Sequence, residues 1–223
     1  MQIQIKLLAI FICLPFISQS QENTFIYGSF ESNSQYLNDD GGLNFYAPSD
    51  NFRSNNYLQL DFQIGNFSYG IQYESYLPSA LLGYSDIFDN NEGIAQYYFK
   101  YENTNSEITV GSFYEQFGNG LVFRTWEDRQ LGINNSLRGI RYRFSPLKEI
   151  EISAIHGKQR FGFEYSNSVI SGVNSNIDIS EIINLDKFSF NIAVSHLNRY
   201  QKLDAGFGEP ENVNVSGARL DIF

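Results

Sequence analysis

From Phe25 onward the chain alternates apolar and polar residues in short runs, and these runs are joined alternately by tight and by long connections. Period-two alternation is the mark of a strand with one apolar and one polar face. Tight turns at one end and long loops at the other are what an up-and-down antiparallel sheet requires. The clearest case is the hairpin around Gly65-Asn66. Leu58, Leu60, Phe62 and Ile64 alternate with Gln59, Asp61 and Gln63, and after the turn Phe67, Tyr69, Ile71 and Tyr73 alternate with Ser68, Gly70 and Gln72. A two-residue turn with glycine first sets Ile64 opposite Phe67, Phe62 opposite Tyr69 and Leu60 opposite Ile71. A slip of one residue would mix the faces, so turn and pattern support each other.

The same reading gives a second hairpin, Ile94 to Gln116, with Tyr101 facing Ile108, Phe99 facing Val110, and Lys100 and Tyr98 on the polar face. A third runs from Leu137 to Gly157 around Ser145-Pro146-Leu147, and a fourth turns near Asp186-Lys187 after a first strand at Ile177 to Leu185, where Glu181 is awkward. The outermost strands are Phe25 to Gln35 and Val213 to Ile222. Long polar connections fall at Tyr36 to Arg53, Pro78 to Gly93, Gly118 to Ser136, after Gln159, and at Lys202 to Asn212. A soluble β-sandwich also shows period-two strands, but its connections need not alternate in length. A barrel in an outer membrane has short periplasmic turns, long outer loops and apolar side chains facing lipid. The expected fold is therefore all-β: an antiparallel up-and-down transmembrane β-barrel of about ten strands. With the N-terminus in the periplasm, every long connection lies outside and every tight turn inside.

Composition agrees. Residues 1–21 read as a cleaved export signal: Lys6 is the basic start, Leu7 to Phe16 the apolar stretch, and Ser18 and Ser20 flank the cleavage region. The mature domain is then 22–223. Cys13, the single cysteine, leaves with the signal, so disulfides, thiolate catalysis and cysteine-held metals are excluded. The whole chain has 15 basic and 25 acidic residues; without Lys6 the balance is 14 against 25, a net charge of −11, which argues against a nucleic-acid partner. Fifteen Tyr, 20 Phe and one Trp suit aromatic girdles at two membrane interfaces. A mean hydropathy of −0.29 is compatible with a membrane, because only one face of each strand meets lipid.

The candidate site is a charged cluster. Arg124, Arg129, Arg138, Arg141 and Arg143 lie close in sequence to Glu115, Trp126, Glu127 and Asp128. Arginine facing lipid at mid-depth costs about 2 to 4 kcal/mol, so the strand members are expected in the lumen. A three-residue turn at Ser145 to Leu147 would set Arg143 opposite Glu149 and Arg141 opposite Glu151, as ion pairs filling a narrow lumen. The long Gly118 to Asn135 loop, with Trp126, is the better binding candidate. Asp86, Asp89 and Glu92 offer oxygen ligands of the kind calcium takes, but without the spacing of a calcium loop. His156 and His196 belong to no metal motif, and no nucleophile or phosphate-binding glycine loop is present.

The run FYEQFGNGLVFRTWEDRQLG, followed by NSLRG, within Ser112 to Arg143, is less generic than the rest. It resembles an uncharacterised family of outer-membrane-type proteins from Bacteroidota, a domain-of-unknown-function family, and His156-Gly157-Lys158-Gln159-Arg160 is similar to that family's next short motif. The resemblance implies the same barrel, in chains longer than this one, so the ten strands are expected either to close by themselves or to form part of a larger barrel. It brings no substrate and no catalytic residues.

These readings converge on a non-enzymatic outer-membrane barrel, a passive channel or a binding or assembly component. Its expected partners are outer-membrane lipid, the barrel-assembly machinery and a small solute or protein, and no cofactor is called for. The alternatives are a barrel hydrolase with its site at the outer rim near His196, and a soluble periplasmic all-β binding protein.

Overall fold

The computed structural model describes residues 24–183, 189–202 and 211–222. The stretch 1–21 expected to be an export signal, the turn expected at Asp186-Lys187 and Phe223 lie outside the described residues.

The chain begins with β1 (Thr24–Tyr36), β2 (Phe52–Ile64), β3 (Phe67–Tyr76), β4 (Asn91–Glu102) and β5 (Ser106–Phe113). Four two-residue strands follow within one long connection: β6 (Gln116–Phe117), β7 (Phe123–Arg124), β8 (Glu127–Asp128) and β9 (Ile133–Asn134). Then come β10 (Leu137–Leu147), β11 (Ile150–Phe161), the short β12 (Glu164–Tyr165), β13 (Val169–Asp178), a one-turn helix α1 (Ile179–Ile182), β14 (Phe190–Tyr200) and β15 (Asn212–Ile222). The long strands form one antiparallel up-and-down sheet in the order β1-β2-β3-β4-β5-β10-β11-β13-β14-β15, with β12 paired to β11. Among the described residues β1 pairs only with β2, β15 pairs only with β14, and no ladder joins these two margins.

The sheet is strongly curled. Four strand steps separate β3 from β11, roughly 19 Å along a flat sheet at the usual strand spacing. Yet the Arg160 guanidinium of β11 lies 2.7 Å from the Glu74 carboxylate of β3. A row of glycines crosses three adjacent strands, Gly111, Gly139 and Gly157, which pair side by side. A Cβ at Gly139 would stand 1.9 Å from the His156 carbonyl oxygen, and one at Gly111 would stand 2.3 Å from that of Tyr97. Only glycine lets the backbones approach this closely, which is how a curved sheet turns a corner.

The two faces are inverted relative to a water-soluble protein. The concave face buries Tyr57, Leu137, Ile155, Glu74 and Arg160. The convex face carries an apolar band: Phe30, Leu60, Ile71, Phe99, Val110, Ile140, Val194 and Leu220 all point outward and exposed, Phe30 at 69% and Leu220 at 57%.

The registers of the first two hairpins are as expected: Ile64 opposite Phe67, Phe62 opposite Tyr69, Tyr101 opposite Ile108 and Phe99 opposite Val110. The third is not. Arg143 faces Ser153 and Arg141 faces Ile155, so neither meets Glu149 or Glu151. The reason is local. Pro146 has no N–H for the ladder, and the Ser145 N–H goes 2.8 Å to the Asn105 carbonyl of the neighbouring turn. The pairing slips between Phe144 and Leu147, Leu147 pairs with Ile150, and Lys148-Glu149 becomes the turn. The displacement from Glu149 to Ser153 is an even number of residues, so each arginine keeps its inward face. The fourth hairpin also departs from expectation. β13 ends at Asp178 rather than running to Leu185, and Glu181 sits in α1, where its N–H is held 3.2 Å from the Asp178 carboxylate that caps the helix.

Candidate functional site

The long connection from Tyr114 to Ser136 does not stand out from the rim. It folds back onto the concave face, whose apolar residues above the glycine row leave a patch for it to cover. Phe117 and Phe123 pack there with Phe113, Leu137, Ile155, Ile170 and Leu197. Two small hairpins shape it, β6 with β7 and β8 with β9. The first is closed by the Glu115 N–H to the Thr125 hydroxyl at 2.8 Å, the second by the Trp126 N–H to the Asn135 side-chain oxygen at 2.6 Å. Asp128 accepts from the N–H groups of Gln130 and Leu131 and so fixes the tip of the second hairpin.

Ion pairs lock this insert to the wall. Arg141 donates 2.6 Å to Glu107 and 2.9 Å to the Tyr114 carbonyl, and Arg143 reaches both Glu115 oxygens at 3.0 and 3.2 Å. From the insert, Arg129 donates 2.5 Å to Glu31 on β1 and 3.3 Å to Glu127, with its guanidinium over the Tyr57 ring. Glu127 in turn accepts from Gln72 on β3 and from Asn134. Above it the loop from Leu77 to Asn90 forms a roof: Tyr76, Tyr84, Phe88 and Phe163 pack together, and the Tyr84 hydroxyl donates to the Arg129 carbonyl. A cavity of about 480 Å³ remains beneath the insert, lined among others by Gln72, Gln96, Tyr98, Lys100, Arg129 and Arg141. Tyr114 stands at its edge, and burial pushes its phenol up to about 12. A second cavity of about 630 Å³ opens at the rim between Phe88, Ile133, Arg160 and Tyr165.

Eight of the eleven sequence candidates thus gather at the insert: Glu115, Arg124, Trp126, Glu127, Asp128, Arg129, Arg141 and Arg143. Arg138, expected in the lumen with the other strand arginines, is not there: it is one residue out of phase with Arg141, shares the outward face of Ile140 and Tyr142, and pairs with Lys158. Arg124 lies over the Trp126 ring at 4.9 Å. Glu149 and Glu151 do not join them. Glu149 sits at the opposite, tight-turn end beside Lys148, 3.5 Å away, and Glu151 is exposed. The cluster also holds residues that the sequence does not single out as site candidates: Glu31, Gln72, Lys100 and Glu107, with the Glu74–Arg160 pair alongside. Glu107 and Lys100 were accessible in principle, since alternation alone puts both inward. Glu31 and Glu74 were not, because their partners come from 98 and 86 residues away.

Elsewhere the candidates stay apart. Asp89 accepts from the Ala80 N–H at 2.8 Å and Glu92 from the Tyr73 hydroxyl at 2.5 Å, and among the described residues no three metal-ligating side chains converge. His156 and His196 lie on the convex face, bonded to Ser171 and Ser216 at 2.8 and 2.7 Å.

An all-β up-and-down sheet with a charged, partly filled concave face is the class of fold these observations define. The chain belongs to a family of unknown function, DUF6029, whose model matches residues 2–223. A comparison with curated proteins finds no match. Among solved structures the chain is similar to Pseudomonas aeruginosa OccK2 (OpdF) in complex with glucuronate, at 8% identity and a TM-score of 0.42, covering 91% of this chain and 60% of that one. It is also similar to Pseudomonas aeruginosa OpdL, at 14% identity and a TM-score of 0.42, covering 90% and 55%. The chain therefore spans between 55% and 60% of the length of these two structures.

Proposed function

We propose that this chain forms the wall of an outer-membrane β-barrel, reached after export through a cleaved signal, and acts without catalysis as a passive channel narrowed by its own 114–136 insert. The observation that carries the reading is the inverted surface. A continuous band of exposed apolar side chains on the convex face is costly in water and matched by lipid. The ion pairs and amides on the concave face suit a wet interior. Strands of 8 to 13 residues fit the roughly 9 to 11 that a tilted spanning strand needs.

A second reading, a binding or assembly component, is favoured by the number of ties that hold the insert. A mobile gate would not need Arg129, Arg141 and Arg143 all paired. Ion conductance in planar bilayers separates the two. The full chain is expected to give small, discrete conductance steps that grow when Phe117→Ala loosens the insert. Insertion with no conductance in either protein would favour the binding component. Recovery of a soluble monomer without detergent would refute both.

A further inference from the structure

The convex face of β10 to β15 is most densely apolar toward its tight-turn end, where Tyr142, Phe144, Ile152, Val194, Leu220 and Ile222 point outward, and Ile140 and Val173 carry apolar surface into the next rows. Toward the long-loop end polar side chains join them, and on β10, β11, β13, β14 and β15 every outward polar group there is a potential hydrogen-bond donor. Arg138 pairs directly across from Lys158. Next to this pair, one row on, His156, Ser171, Asn198 and Asn214 lie side by side on four strands, and His196 meets Ser216 one row further. No outward position of β10, β11, β13, β14 or β15 among the described residues is Asp or Glu, in a chain whose net charge is −10.

Arg138 and Lys158 are the centre of this belt. Two like charges directly opposite on antiparallel strands repel, and neither residue makes a salt bridge or a side-chain hydrogen bond among the described residues. The Arg138 guanidinium lies instead against the rings of Tyr97 and Tyr165, 4.5 and 4.2 Å from their centroids. Stacking of this kind holds a guanidinium in place and leaves its charge uncompensated. By contrast Arg129, Arg141, Arg143 and Arg160 on the concave side all have carboxylate partners.

We propose that the Arg138–Lys158 pair binds the phosphate of an anionic lipid headgroup in the leaflet on the long-loop side. The site rests on the membrane reading above, which places these residues where the apolar band ends and headgroups begin. A phosphate oxygen bridging the two cations relieves their repulsion, and no outward carboxylate of β10, β11, β13, β14 or β15 opposes it. The tyrosines beside it occupy the interfacial level that aromatic side chains prefer.

The test uses the full chain folded in a zwitterionic detergent, with native mass spectrometry reading adducts during titration with phosphatidylglycerol, phosphatidylcholine or inorganic phosphate. Phosphatidylglycerol is expected to bind about tenfold more tightly than phosphatidylcholine, and to lose about that factor in Arg138→Gln/Lys158→Gln, while Lys148→Gln at the other end leaves it unchanged. Arg138→Lys, which keeps the charge, retains most of the preference. Heat-modifiable gel mobility reports that each variant is folded. Equal binding of the two lipids, or a double variant that binds like the parent, overturns the site. Displacement of phosphatidylglycerol by inorganic phosphate at comparable concentration assigns the site to free phosphate and overturns the lipid. Failure of the unmodified chain to enter phosphatidylcholine vesicles is a separate result and strikes the membrane reading itself.

Discussion

Neutralising Glu74 is the most searching perturbation of this fold. Its carboxylate accepts two hydrogen bonds from Arg160, at 2.9 and 2.7 Å, and both side chains are 1% exposed. The pair joins β3 to β11 across the curl, so it reports on closure of the concave face rather than on one hairpin. In Glu74→Gln the guanidinium stays buried without a countercharge. Breaking a buried pair in this way costs about 3 to 5 kcal/mol, a factor of a hundred or more in the folding equilibrium. Replacing both partners with apolar residues, Glu74→Leu with Arg160→Met, removes the stranded charge. Recovery is incomplete, because Glu74 also accepts from Gln72 at 2.8 Å and from the Tyr76 hydroxyl at 2.7 Å. Those two donors lose their acceptor, and each buried orphan costs about 1 to 3 kcal/mol. The double variant should therefore lie below the parent, yet lose less than the sum of the losses of Glu74→Leu and Arg160→Met made singly. Urea titration of protein folded in micelles measures this, with gel mobility for the folded fraction and the emission of Trp126, the chain's one tryptophan, for the insert. Additive effects of the two substitutions, or a Glu74→Gln midpoint equal to the parent's, would refute the bridging role.

Three further outcomes follow from the geometry. Arg141→Glu should lose about 1.5 to 3 kcal/mol of stability, and Glu107→Arg should restore part of it while Glu151→Arg restores none, in the same urea titration. Gly139→Ala should give no heat-modifiable folded species, since its methyl meets the His156 carbonyl at 1.9 Å, whereas Gly41→Ala, with nothing within 4 Å, should fold normally. Cysteines placed singly at Asp86 and Asn66, both exposed and at opposite ends of the sheet, should label oppositely with an impermeant thiol reagent on intact cells, Asp86 reacting and Asn66 not; equal labelling would contradict the topology.

How much of this fold is legible in the sequence depends on the range of the interaction. The hairpin at Gly65-Asn66 carries its register in adjacent residues: the turn type and the two apolar faces give one answer. The faces of Arg141 and Arg143 are legible for the same reason and point inward as expected although their partners differ, whereas Arg138, out of phase with them by one residue, faces outward. The partners differ because Pro146 turns a three-residue loop into a bulge, and the Ser145 N–H finds its acceptor on another hairpin. The Gly118 to Asn135 stretch reads as an outer loop by composition. Its inward fold depends on Phe117 finding Gly172, where a Cβ would stand 2.7 Å from the ring, and on Arg129 finding Glu31. Nothing local to either residue encodes those meetings.

The insert does more than narrow the concave face. Arg129 ties it to Glu31 on β1, one margin of the sheet. At the other margin Val122 packs so closely on Gly217 of β15 that a Cβ there would stand 2.6 Å from its methyl. Between these, Glu127 reaches β3 through Gln72, and Phe117 joins the core formed with β11, β13 and β14. One segment thus spans the curl from edge to edge. Among the described residues both margins of the sheet are therefore held by the same segment. Any change that frees the insert to widen a passage also loosens both margins. Conductance and stability should therefore move in opposite directions in variants of Phe117, Val122 and Arg129, a coupling that a plug attached at one end would not produce.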